Sequence, residues 1–150
     1  MQLQEASWLL GFVVACAVIG FLIGRLVRER PTAVERKRPR IAVSTAYLRD
    51  AHNRTLSTHS RTKCAFDCMY FCCTELSVSE GCRIDEMLHP TREVVRIGLS
   101  AISATDEQLR TAELLTEWVA SVSPQLSGVS IATACKLASF VRERAIAVLS

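Results

Sequence analysis

Glycine, proline and histidine are scarce in this 150-residue chain: six, four and three respectively. Few Gly and Pro means few hairpin turns, and no stretch alternates apolar and polar residues as a half-buried strand does. Three histidines leave little material for proton-transfer chemistry. No phosphate loop, dinucleotide glycine pattern, His-Glu-x-x-His or nucleophile elbow is present, which excludes the commonest sequence-readable enzyme classes. No Cys-x-x-Cys occurs either, although seven cysteines are present. The length admits one ordinary domain with an appendage and excludes a second domain of enzyme size.

Charge is absent from Trp8 to Gly24, and Leu26 and Val27 extend this apolar run around Arg25. About 20 residues at ~1.5 Å each span a ~30 Å hydrocarbon core, so a transmembrane helix is expected over residues 8 to 27. Trp8 stands where an interfacial aromatic belongs, and Arg25 can snorkel to the headgroups. Gly20 and Gly24 have the small-xxx-small spacing through which such helices associate, which offers a route to homo-oligomers. Residues 1 to 7 carry only Glu5, whereas Arg25, Arg28, Arg30, Arg36, Lys37, Arg38 and Arg40 oppose just Glu29 and Glu35, a local net of +5. The positive-inside rule then places the N-terminus outside and the rest in the cytoplasm, as for a single-pass signal anchor in a cell inner membrane. Residues 28 to 40, with two prolines, read as a basic linker drawn to anionic lipid through Arg28, Arg30, Arg36, Lys37, Arg38 and Arg40.

Residues 41 to 150 carry eleven basic and twelve acidic side chains, net −1, and so lack the basic footprint of nucleic-acid binding. Their pattern is helical and predicts an all-α bundle of four or five short helices. Ser44 or Thr45 would cap a first helix to about Leu56, and Ser60 a second from about Arg61 to Ser77, with Gly81 beyond its end. Pro90 opens a third helix to about Ile102. Thr105-Asp-Glu-Gln108 has the form of a capping box before a fourth, which Ser123-Pro124 ends. Ser130 caps the last, whose Ile131, Ala134, Cys135, Ala138, Val141, Ala145, Val148 and Leu149 share one face.

The second helix has almost no polar face. Phe66, Cys68, Met69, Phe71 and Cys72 mark it as the buried centre of the bundle. Its cysteines at 64, 68, 72 and 73 raise the question of a metal. Cys64 and Cys72 lie roughly 12 Å apart along the axis, whereas zinc needs its sulfurs about 2.3 Å from one point, so one helix cannot close such a site. Core packing is the expected role, with neither metal nor cofactor.

The stretch Ser60-Arg-Thr-Lys-Cys-Ala-Phe-Asp-Cys-Met-Tyr-Phe-Cys-Cys-Thr-Glu-Leu76, then His89-Pro90 and an amphipathic helix, resembles the core of HEPN-type helical domains over residues 60 to 115. In that family a buried aromatic-rich helix carries a basic residue at its start, and the ribonucleases use an Arg-x4-6-His motif, typically on the final helix. Here the final helix has Arg142-Glu-Arg144 and no following histidine. The resemblance therefore implies a non-catalytic bundle, unless Arg83 and His89 supply the pair. Two functions follow as expectations. The first is a membrane-anchored adaptor or scaffold whose cytoplasmic bundle binds a protein partner. The alternative is a membrane-tethered ribonuclease in which His89 moves a proton and Arg83 stabilises the phosphate.

Overall fold

The computed structural model describes residues 31–122 and 125–150. Six α-helices and no strand are found among them: α1 Ala33–Lys37, α2 Pro39–His52, α3 Thr58–Ser79, α4 Pro90–Ala101, α5 Asp106–Ala120 and α6 Ile131–Leu149, with a 3-10 turn at Ile84–Glu86. The all-α expectation holds for these residues.

The transmembrane helix, by contrast, is corrected. No helix among the described residues is long and apolar enough to cross a membrane, because the bundle helices bury one face and keep charged side chains on the other. Residues 8 to 27, including Trp8, Gly20, Gly24 and Arg25, lie outside the described residues, as do Arg28 and Arg30.

Local chemistry accounts for most helix ends. Ser57, Thr105 and Ser130 accept from the amides of Ser60, Gln108 and Thr133, and the Thr105–Gln108 box is reciprocal, with Gln108 Oε1 accepting from Thr105 N at 2.8 Å. Gly81, at φ 82°, closes a Schellman turn in which Cys82 N donates to Ser77 O at 3.0 Å. Helix α4 ends in the same motif, Ala104 N to Leu99 O at 3.0 Å, but with Ser103 at φ 53° where glycine would be unstrained.

Thr32 to Ser150 pack as one unit around α3, which contacts α2, α4 and α6 most heavily. Phe66, Cys68, Met69 and Cys72 are buried in it, while Phe71 is half-buried and stacks on Tyr47 with ring centroids 5.6 Å apart. Helix α4 approaches α3 closely because position 98 is glycine: a Cβ there would lie 2.5 Å from both Cα and Cβ of Cys73. Ser77 Oγ links the same two helices by donating to Val94 O at 3.2 Å. Arg61, at the start of α3, donates from Nε to the carbonyl of Ala51 at 2.9 Å and so satisfies an open end of α2.

The expected linker is helical where described. Residues 33 to 37 form α1, capped by Thr32, and Pro39 begins α2; proline at a first turn is permitted, since that amide has no intrahelical acceptor. Ser44 and Thr45, expected as caps, instead lie inside α2, where Ser44 donates to Ile41 O at 2.7 Å.

Candidate functional site

Among the described residues the two buried carboxylates, Glu35 and Glu75, each sit in an ion-pair cluster. Glu35, 7% exposed, accepts from Arg142 Nη2 at 2.8 Å, from the hydroxyl of Thr45, and from the amide of Thr32 at 2.6 Å. Burial alone would raise the Glu35 pKa. The hydrogen bonds from Thr45, Thr32 and Arg142 outweigh it and hold the carboxyl at about 2. Glu75, 8% exposed, accepts from Arg40 at 2.9 Å and Arg38 at 3.2 Å. Arg38 and Arg40, expected beside lipid headgroups, thus balance a carboxylate on α3, while Arg36 and Lys37 stand exposed on α1. Among the described residues no buried side-chain nitrogen or oxygen lacks a partner. These clusters fasten α1 and α2 to α3 and α6.

The cysteines of α3 are packed into the bundle: Cys68, Cys72 and Cys73 are buried and Cys64 is half-buried. The hydrogen bond between the Cys68 and Cys72 thiols, together with burial, pushes Cys68 up; the same bond, with help from Ser44 and Arg142, draws Cys72 down against its burial, and burial pushes Cys73 up. Cys68 and Cys73, held protonated, are poor nucleophiles and poor metal ligands, and Cys72 has no exposed surface. Among the described residues no three His, Cys, Asp or Glu side chains are placed to hold a metal.

Arg83 and His89 are not brought together. Arg83 pairs with its own loop neighbours, Glu86 at 2.8 Å and Asp85 at 3.5 Å. His89 precedes α4, and its amide donates to Glu93 Oε1 at 3.0 Å. No hydrogen bond or ion pair joins the two side chains.

His89 does border a feature the sequence reading missed. Helix α5 is held to the bundle by fewer contacts than its neighbours, and its seam with α4 opens into a groove of about 400 Å³. Val95, Leu99 and Leu109 line its base. Arg92 and Arg96 of α4 line it together with Glu113 and Glu117 of α5. Arg92 Nη2 reaches Glu117 Oε1 at 3.0 Å, which sets the antiparallel register of the two helices. Arg96 and Glu113 are exposed and have no ion-pair partner among the described residues. A second hollow of about 370 Å³ adjoins it, sharing His89, Arg92, Thr116 and Glu117 and adding Leu88, which is 89% exposed. The signal for this groove was legible as two four-residue charge repeats, Arg92/Arg96 and Glu113/Glu117, on amphipathic helices joined by a short turn.

The chain matches no family model, no curated protein and no solved structure.

Proposed function

We propose that the helical bundle is a protein-interaction module of the adaptor or scaffold kind, and that the α4/α5 groove is its contact surface. One observation carries this reading: an apolar-based groove at the surface, with charge on its rims and an almost fully exposed Leu88 at its end. Protein interfaces are built this way, with an apolar centre that supplies affinity and a polar rim that selects the partner. The ribonuclease reading has no such support, since Arg83 is spent on Asp85 and Glu86.

The test is site-specific photo-crosslinking in the native cell. A benzoyl-phenylalanine replacing Glu113 in the full-length chain should give a discrete protein adduct, and the same group replacing exposed Arg144 on α6 should not. Identical adducts at both positions, or none at either, would remove the groove as the contact surface.

A further inference from the structure

The two rims of the groove carry opposite charge in matching steps. Arg92 and Arg96 are one helical turn apart, about 6 Å along α4, and Glu113 and Glu117 repeat the step along α5. The Arg92–Glu117 pair aligns the steps, so that Arg96 and Glu113 lie on the two rims toward the other end. Between them the base is apolar.

An occupant of such a groove must bring apolar side chains down and both signs of charge to its flanks. It must also satisfy its own backbone. No strand is found among the described residues, so an extended peptide would have no sheet edge to pair with and would desolvate its amides without compensation. A helix satisfies its own amides, and its i,i+4 spacing repeats the step of the rims. Nucleic acid and anionic lipid bring negative charge alone, which the Glu113/Glu117 rim repels.

We infer that the partner enters this groove as an amphipathic helix, with an apolar stripe flanked by an acidic i,i+4 pair on one side and a basic i,i+4 pair on the other. The inference rests on the groove being the interaction surface proposed above. A groove of about 400 Å³ takes roughly two large apolar side chains, given that a ~150 Å³ cavity accepts a benzene. Leucine at i and i+4 of the partner meets that requirement.

The test uses the full-length chain and three fluorescein-labelled 18-residue helical peptides with one leucine stripe. Their flanks are mixed (one Glu, one Lys), both Lys, or both Glu. The mixed peptide should bind about tenfold more tightly than either other, because each uniform peptide turns one rim's attractions into repulsions of the size seen for exposed ion pairs. Arg96→Glu should move the preference to the peptide with two Lys flanks, and circular dichroism should leave the helix content of the chain unchanged. Equal binding of all three peptides, or of none, would overturn the inference. So would self-association of the chain that Arg96→Glu abolishes without peptide binding, which would assign the groove to a second copy. A crosslinked partner at position 113 alongside equal or absent peptide binding would leave the interaction module standing and remove the helix.

Discussion

Replacing Glu35 by glutamine should cost the bundle several kcal/mol at neutral pH and almost cancel its sensitivity to acid from this site. In the folded chain the carboxyl ionises at about 2, against 4.5 for an unperturbed glutamate. At about 1.4 kcal/mol per pH unit this displacement corresponds to about 3 kcal/mol of stability. Because the folded value is the depressed one, that stability is fully present above pH 4.5 and is lost as pH falls through 2. About 2 kcal/mol of it is gone by pH 3. The variant also leaves Arg142 without its charge partner in a site where both side chains are largely buried, which costs about 3–5 kcal/mol. Urea denaturation at a series of pH values, followed by circular dichroism, measures both effects. Other carboxylates titrate over the same range in both proteins, so the difference between wild type and variant isolates Glu35. That difference should shrink by about 2 kcal/mol between pH 7 and pH 3. A difference that stays constant would refute the argument that Glu35 is ionised and held by Thr45, Thr32 and Arg142.

Four further outcomes follow from the packing and the backbone. Gly98→Ala should destabilise the bundle by about 1–2 kcal/mol in thermal or urea melts, because a Cβ 2.5 Å from the Cys73 backbone forces α4 off α3 and outweighs alanine's better helix propensity; a stabilised variant would show that the two helices are not in such contact. Ser103→Gly should stabilise it by about 0.5–1 kcal/mol, since Ser103 occupies the left-handed position of a Schellman turn and is exposed. Val122→Gly should act likewise, because this β-branched residue at φ 50° is 87% exposed and has little packing to lose. Among the described cysteines, Cys82 and Cys64 should alkylate before Cys68, Cys72 and Cys73, as read by peptide mapping. Cys64 should be the slower of the two, since burial and the nearby Asp50 and Asp67 raise its thiol.

Helix ends were largely legible because capping is local chemistry. The Thr105–Gln108 box, Ser130, Pro90 and Gly81 could all be read within four residues of each helix end. The misplacements came where the deciding surroundings are tertiary rather than local. Ser44 and Thr45 looked like caps, yet both point into the bundle and bond main chain or side chain there. Arg38 and Arg40 looked like part of a basic linker because Glu75, their counter-charge, is at least 35 residues away in the chain. The apolar run at residues 8 to 27 reads as an anchor from its length, its lack of charge and the basic residues that follow it, but it lies outside the described residues, and the described helices contain none that could cross a membrane.

By itself the sequence determined the class of fold and the identity of the central helix. Helical periodicity and capping act over a turn or two, and a segment as apolar as Phe66 to Cys73 can only be the inside of the bundle. Only the tertiary structure decided which charges meet and where the surface opens. Arg142 finds Glu35 across 107 positions, Arg83 turns to its neighbours rather than to His89, and α5 stands off α4 far enough to leave a groove. Such pairings depend on how helices cross and how closely they approach, which here is set by single contacts such as Gly98 against Cys73. No short window of sequence contains both sides of the Arg142–Glu35 or Gly98–Cys73 contacts.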